Sequence, residues 1–535
     1  MTRTKSTIKY GKRSTRTKAE RLFAELPQSP VRKPLGAEMD HAVDCITEKL
    51  SKAQIEDEPR PLRRSPRKSI IRVQVVDEDE APDFSTTSEE VVNKKSNAPI
   101  ETDQNIVLRG SPLGESGEEE FLESSFGGTS LRILSWDDVC PPGDGIEKIA
   151  EASYAEVYRV TNERGTSVIK VIRLPSPIKP QTKAQVRSKL VDEEPHSEED
   201  INGELQISEW LADVPGFVVY KERYLVQGKT SRALLETHQV FQRRMKRKDP
   251  GRAQFYPSPS RYLDDTKFLV VELGDAGVAL EDWQLKSESQ LWDIFFLEAI
   301  ALARAEEIAM FEHRDLHEGN ICIRQARPPT ERKSGPGGHF GYSGLDITIL
   351  DYGLSRAEDL SIDFAKPIAY DMERDLSLFT STHAPQCKVY RQMRSFLLRA
   401  DRKCLPPEAH KTPYAKGVDG PLCWEAYAPY TNVLWLAYLY EYLLDHFEGD
   451  AADLARFEDC TADMWTHLSP EADDGTPCFG SAGDIVCFAV EAGWLREEQL
   501  IGSSTSILER EDSIIVLRDE GCADVSGRRS SRHFR

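Results

Sequence analysis

The ten cysteines of this 535-residue chain include no Cys-x-x-Cys pair, and no Cys/His cluster has zinc spacing. The amino terminus is polar and basic and lacks the apolar stretch of a secretory signal. No apolar run reaches the ~20 residues that cross a bilayer. The most apolar, Asn432 to Leu444, is too short and is interrupted by Tyr and Glu. Internal repeats are absent. Apolar residues make up 39%, below the ~45–50% of a fully globular chain. These absences exclude secreted, disulfide-stapled, membrane-spanning and collagenous classes. They predict a soluble, intracellular, reduced protein in which part of the chain does not fold.

Acids outnumber bases, 90 to 69, for a net charge of −21. Such a chain binds polyanions poorly as a whole, and an acidic cleft in it would favour basic partners. The charge is uneven. Met1 to Lys33 hold ten Lys/Arg and two acids, Arg60 to Arg72 six bases and no acid, and Asp77 to Glu123 fourteen acids and three bases. Residues 1–130 therefore net −2 and leave −19 to residues 131–535. Alternating charge blocks rich in Ser, Thr and Pro bury too little apolar surface to offset ordering entropy. Residues 1–130 are accordingly predicted to be a disordered regulatory tail, and residues 518–535, with Arg528-Arg529, a second one.

Folding signals begin near Leu131. Glu147 to Ile149, Glu156 to Val160 and Ser167 to Ile172 are β-branched and aromatic segments separated by turn residues, which predicts antiparallel strands. Lys179 to Glu199 is polar and bounded by Pro, a predicted loop or insertion. Ile201 to Leu211 has near-helical apolar spacing, Phe268 to Val271 is a predicted buried strand, and Leu291 to Phe311 a helix apolar on most faces. After the short strand Asp346 to Leu350, helical patterns dominate to about Leu517. Strands first and helices later predict an α+β, two-lobed architecture. Its first lobe is a mostly β segment at 131–275 with one key helix, and its second a mostly helical segment at 276–517.

The segment with the strongest chemical content is His313-Arg-Asp-Leu-His-Glu-Gly-Asn320, followed by Ile321-Cys-Ile323 and, thirty-one residues after Asn320, by Asp351-Tyr-Gly353. It resembles the catalytic loop and metal-binding turn of protein kinases. There one carboxylate orients a substrate hydroxyl, while an amide oxygen and a second carboxylate hold Mg2+ on ATP. At ~5% usage per residue type, four fixed residues recur by chance in such a chain on the order of a few times per thousand. That reading makes Asp315 the catalytic base and Asn320 and Asp351 the metal ligands. Upstream, Val168-Ile-Lys-Val171 fits the strand whose lysine, Lys170, reaches the nucleotide phosphates. Its partner should be a glutamate on the next helix, Glu204 rather than the rival Glu209.

The chain departs from the kinase pattern before that strand. Ile149-Ala-Glu-Ala-Ser-Tyr-Ala-Glu-Val157 has alanine at all three positions expected to be glycine. Glycine permits positive φ and close approach to phosphate. Alanine permits an ordinary hairpin with Ser153 and backbone amides facing the nucleotide, flanked by Ile149 and Val157. Weaker ATP contacts are expected, without loss of the base or the metal ligands.

Taken together these motifs resemble haspin, the divergent nuclear kinase of mitosis, in its fungal form. His317 stands where most kinases have Lys, Leu350-Asp-Tyr-Gly-Leu-Ser-Arg356 is similar to the family's Asp-Tyr-Thr-Leu-Ser-Arg, and no Ala-Pro-Glu follows. Instead Trp424 to Tyr438 contains Asn432-Val-Leu-Trp-Leu436, a stretch ordinary kinases lack, and Asp375 to Thr380 and Val389 to Met393 also fit. The resemblance covers roughly residues 135–450. It implies a serine/threonine kinase acting with ATP and Mg2+ on the third residue, a threonine, of the histone H3 tail. It also implies Lys170 and Glu204 as the phosphate-positioning pair and His317 near the transferred phosphate. An adenine hinge is expected within Glu272 to Gly277, with Glu272 and Gly274 as candidate contacts and the register open. Relatives carry an acidic stretch after Leu-Phe-Thr, whereas this chain has Ser381 to Gln386 without acids, so Asp371, Glu373 and Asp375 are the candidate replacements. Two other readings stay open. One is a small-molecule phosphotransferase of the aminoglycoside or choline kinase type, which shares a His-x-Asp-x-x-x-x-Asn loop. The other is a pseudokinase scaffold binding histone tails or cohesin factors, supported by the alanine loop.

The tail carries its own signals. Without Met1 it begins Thr-Arg-Thr-Lys-Ser-Thr, similar to the Ala-Arg-Thr-Lys-Gln-Thr of histone H3, which makes Thr4 a candidate autophosphorylation or pseudosubstrate site. Lys9-Tyr-Gly-Lys-Arg13 resembles a short motif by which haspins contact a cohesin regulator. Ser65, within Arg63-Arg-Ser-Pro-Arg-Lys68, fits a cyclin-dependent kinase site, and the same basic cluster suits nuclear import and chromosome association.

Overall fold

A computed structural model describes residues 133–152, 155–187, 192, 194–196, 198–250, 256–332, 338–418, 420–473, 475–500 and 513–515. The two expected tails, with Thr4, Lys9 to Arg13 and Ser65, lie outside the described residues.

The fold is the expected α+β, two-lobed arrangement. The first lobe is a six-stranded sheet in the order β1-β5-β6-β4-β3-β2. Its strands are β1 (Ile133–Leu134), β2 (Gly145–Glu151), β3 (Glu156–Asn162), β4 (Gly165–Arg173), β5 (Tyr220–Gln227) and β6 (Lys267–Gly274). Three of its helices are α1 (Trp136–Val139), α2 (Lys183–Arg187) and α3 (Glu198–Leu211). The fourth, α4 (Arg232–Lys248), has no counterpart in the sequence expectations. Only a narrow stripe of it, Leu234, His238 and Phe241, is buried, so its periodicity is hidden in a polar sequence. Ser231 caps its start, accepting from Leu234 N–H, and Lys246, Arg247 and Lys248 suit the negative end of its dipole. The segment expected as a loop at 179–199 holds α2 and the start of α3, Glu198 and Glu199.

The sheet buries both faces. Cross-strand neighbours share a face, so Val157, Lys170 and Val271, paired across β3, β4 and β6, look one way. Tyr158, Ile169 and Glu272 look the other way. The first face packs on α3 through Ile172, Leu205 and Val271. The second packs on α1 and α4 through Trp136, Leu234 and Phe268. Ser513–Ile515 correct an expectation: placed by sequence with the helical lobe, they seat on this second face. Ile514 and Ile515 are buried there, and Ile514 N–H donates to Glu272 Oε1 at 2.9 Å.

The second lobe begins with the three-stranded sheet β7 (Val278–Ala279), β8 (Ile321–Gln325) and β9 (Leu345–Ile349). The pair β10 (Arg356–Ala357) and β11 (Ile368–Ala369) follows. Its helices are α5 (Glu288–Ala309), α6 (Ser377–Thr380), α7 (Gln386–Arg399), α8 (Tyr430–Asp445), α9 (Ala451–Leu468), α10 (Ala482–Glu491) and α11 (Glu497–Leu500). Helix α5 is the axis of the core and is buried along most of its 22 residues, as its all-round apolar sequence requires.

Glu298 on α5 is fully buried, and neither carboxylate oxygen has a hydrogen-bond partner among the described residues. Burial raises its carboxyl well above the ordinary value of 4.5. The folded chain thus keeps a proton that the unfolded chain releases, and stability falls as pH rises past 4.5. Glu298→Met should stabilise the protein at pH 8 by about 1–3 kcal/mol, with the gain fading towards pH 4. Thermal unfolding across that range reads the effect.

Candidate active site

The loop between α5 and β8 and the turn after β9 meet because Ile321-Cys-Ile323 pairs antiparallel with Ile347-Thr-Ile349. The register sets Ile321 opposite Ile349, so Asn320 and Leu350 become neighbours, and Leu350 N–H donates to Asn320 O at 2.8 Å. A second bond grips Leu350 from the other side. His313 Nε2 lies 2.9 Å from Leu350 O, while its Nδ1 accepts from Asp315 N–H at 3.2 Å. The two partners assign the proton to Nε2 of a neutral imidazole. Burial depresses the His313 pKa to about 4, which keeps that neutral form.

Two residues in this region take left-handed backbone, Arg314 at φ 66° and Asp351 at φ 63°. Each such non-glycine residue costs about 1–2 kcal/mol. Arg314 is held there by burial: it donates from Nε to Glu312 Oε2 at 3.1 Å, donates to Trp424 O at 2.8 Å, and lies over the Trp424 ring. Glu312 also accepts from Ala428 N–H and Thr431 Oγ1, both at 2.8 Å. Asp351 accepts from Gly353 N–H at 3.2 Å.

Across from this loop, Lys170 Nζ bonds Glu204 Oε1 at 2.6 Å. Glu209 is occupied elsewhere, 3.2 Å from Arg223. Burial lowers the Lys170 pKa and the Asp351 carboxylate partly offsets this. The converse holds at Asp351: burial would raise it, but the Lys170 ammonium and Gly353 N–H hold it below the ordinary carboxylate value. Asp315 goes the other way. Burial pushes it up to about 6, against His317 and a hydrogen bond from Tyr390. Tyr390 Oη donates to Asp315 Oδ1, and Asn320 Nδ2 donates to Asp315 O at 2.8 Å. Two carboxylates with opposed shifts thus stand on adjacent turns, one ionised and one able to take a proton near neutrality.

His317 Nδ1 accepts from Gly319 N–H at 3.0 Å. A Cβ on Gly319 would lie 2.8 Å from His317 Cε1, so only glycine permits that approach. Val157 shares the face of Lys170. Ile149 is half-buried at the bulge that shifts the β2–β3 register between Lys148 and Ala150. Ser153 lies outside the described residues. One of the two hinge candidates needs correction. Glu272 pairs with Ile169, not Lys170, so its carboxylate lies on the opposite face of the sheet. There it accepts from Ser167 Oγ at 2.8 Å and Ser513 Oγ at 2.6 Å. Gly274, the other hinge candidate, donates its N–H to Val219 O at 2.8 Å. Glu373 is likewise turned inward, gripped by Nε and Nη2 of Arg394 at 2.8 and 2.9 Å. Asp371 accepts from Tyr414 Oη at 2.8 Å and Asp375 from Ser377 N–H at 3.0 Å.

Sequence reasoning missed three residues. Tyr390 reaches Asp315 from α7, a contact no local spacing announces. Glu312, immediately before the loop, anchors Arg314. Asn432 was visible within its motif, but its task was not. Fully buried, it accepts from His313 N–H at 3.1 Å and donates to Glu306 Oε1 and Phe311 O, both at 2.9 Å. A buried polar residue inside an otherwise apolar helix was the available signal.

Because the folded-state pKa of Asp315 is raised, its contribution to stability is present below about pH 4 and is lost as pH climbs towards 6. Asp315→Asn should therefore raise the thermal midpoint at pH 8, by about 1–3 kcal/mol equivalent, and change it little at pH 4. An unchanged midpoint at pH 8 would count against the raised carboxyl.

A family model described as "Haspin like kinase domain" matches residues 123–472. The serine/threonine-protein kinase haspin homolog of Schizosaccharomyces pombe is 27% identical over 385 residues, 67% of this chain and 67% of that protein. The serine/threonine-protein kinase haspin of Mus musculus is 28% identical over 305 residues, covering 56% of this chain but 35% of that protein. The Arabidopsis thaliana homolog is 26% identical over 381 residues, 70% of this chain and 54% of the relative. With the family model spanning well over half of the chain, the protein belongs to the haspin-like kinase domain family and is a protein kinase.

Proposed function

We propose that this kinase transfers the γ-phosphate of ATP to a threonine near the N-terminus of histone H3, on mitotic chromosomes in the nucleus. The observation that carries the transfer step is the Lys170–Glu204 ion pair beside Asp351, with the proton-accepting Asp315 on the adjoining loop. In this reading Lys170, fixed by Glu204, orients the α- and β-phosphates. Asp315 receives the threonine hydroxyl proton and His317 borders the same space. The ionised Asp351 carboxylate and the Asn320 amide oxygen, whose Nδ2 is tied to Asp315 O, are hard oxygen donors suited to Mg2+. Two protein oxygens suit a metal that completes its shell with phosphates and water. When bound, the metal neutralises phosphate charge during transfer.

A basic peptide substrate is supported by the net −19 of residues 131–535. The acids that meet it are not Glu373, whose carboxylate is spent on Arg394. The tail readings are part of the same proposal: Thr4 as a substrate mimic, Lys9 to Arg13 for a cohesin regulator, and Ser65 for a cyclin-dependent kinase. The match over residues 123–472 leaves no support for the aminoglycoside- or choline-kinase-type reading.

Incubated with Mg-ATP and a histone H3 N-terminal peptide, the protein should label the threonine and not its alanine-substituted counterpart. Asp351→Ala should lower that rate by about 10²-fold or more. Labelling that ignores the threonine overturns the substrate, and a fully active Asp351→Ala overturns the metal assignment. Tyr390→Phe removes a donor from ionised Asp315, so its pKa should rise further. The acid limb of the kcat profile should then move up by about one pH unit, while the KM for ATP stays near the parent value.

A further inference from the structure

The flanks of the alanine-substituted loop are braced from outside the cleft. Its two flanks, Glu151 at the end of β2 and Glu156 at the start of β3, converge on one ammonium. Lys148 Nζ donates to Glu151 Oε1 at 2.8 Å and also bonds Glu156 Oε1. Lys148 is 1% exposed, and its ammonium lies 5.1 Å from the Phe241 ring centroid and 5.6 Å from that of Tyr256. The bulge between Lys148 and Ala150 makes this convergence geometrically available. It adds a residue to β2, so Lys148 and Glu151, three apart, both reach the outer face where Glu156 and Tyr158 lie.

Helix α4 closes the brace. His238 Nδ1 is 3.2 Å from Lys148 Nζ and 3.1 Å from Glu156 Oε1. Lys148 N–H donates to Thr237 Oγ1 at 2.7 Å, and Gln242 Nε2 donates to Glu151 Oε1 at 2.7 Å. The loop itself is touched directly: Tyr256 Oη donates to Ala152 O at 2.5 Å, and Ala152 N–H bonds Ala155 O at 2.8 Å. A buried ammonium facing two carboxylates is a costly arrangement to place in a lobe's outer layer, and among the described residues the hydrogen bonds of Lys148 end on the strands flanking one loop or on the helix behind them.

We propose that Lys148 is a positioning residue for the nucleotide loop, cross-tying its two flanks and docking them on α4, so that a loop without glycine is preset for ATP. A glycine loop adapts to phosphate by visiting backbone conformations that alanine avoids. A loop of alanines has to be held in its working shape beforehand, which lowers the ordering cost of binding. The inference rests on the reading of the Lys170 cleft as the ATP site.

The test uses the full chain. Lys148→Met uncovers two buried carboxylates and is prone to misfold, so the deciding variant is Gln242→Leu with Tyr256→Phe, which cuts ties to the loop and leaves the Lys148–Glu156 pair intact. Amide hydrogen exchange over residues 150–157 should accelerate without nucleotide. The KM for ATP should rise roughly 5–20-fold while kcat stays within about two-fold of the parent. Lys148→Arg, which keeps the charge, should retain most of the ATP affinity. Unchanged exchange in the double variant overturns the clamp. So does a lower thermal midpoint with an unchanged KM, which would make the network purely structural. The exchange measurement needs no ATP. A parent that fails to use ATP would overturn the reading of the cleft, while loop protection still tests the clamp.

Discussion

A neutral imidazole holds this active site together. His313 is buried away from water and donates from one nitrogen to Leu350 O while accepting at the other from Asp315 N–H. Its own N–H is taken by Asn432 from α8. Through these bonds one side chain and its backbone join the loop carrying Asp315, the turn carrying Asp351 and a core helix of the second lobe. A protonated ring would have to donate at both nitrogens and would lose the bond from Asp315. Burial is therefore part of the construction, since it keeps the ring neutral.

The same lobe buries several acids, and the way each is satisfied separates structure from chemistry. Glu312 and Glu373 are paired with Arg314 and Arg394 and serve as anchors. Glu306 pairs with no cation among the described residues and is pushed up to about 8 by burial, although it accepts from Asn432, Ala482 N–H and Gly483 N–H. Asp315 and Asp351 differ from these in being half-buried at the cleft and oppositely shifted. The buried arginine and amide bonds hold the loop rigid, so the two cleft carboxylates can be tuned by small differences in surroundings.

Motifs whose meaning is local were legible. His313 to Asn320, Asp351-Tyr-Gly353 and Lys170 stand in the sequence at spacings that strands and tight turns reproduce. Glu204 was legible because it stands on the first long helix after the Lys170 strand. What failed to show is instructive in each case. Glu272 looked like a nucleotide contact because it follows the apolar run of β6, yet strand alternation relative to Lys170 turns it to the far face. Helix α4 was hidden because one narrow stripe suffices to dock it. Ser513–Ile515 travel back to the first lobe because Glu272 and the apolar second face accept them there, a pairing across more than two hundred residues.

The sequence alone determined the chemical groups, the α+β order of elements and the family, since these depend on residue types and short spacings. Tertiary structure decided which carboxylate is ionised, which glutamates face inward, what holds His313 neutral and what ties the flanks of the loop without glycine. Those outcomes depend on burial and on partners distant in sequence, Asp315 with Tyr390, His313 with Asn432, Lys148 with His238. Desolvation and hydrogen-bond geometry are properties of the packed chain, and no local pattern of residues carries them.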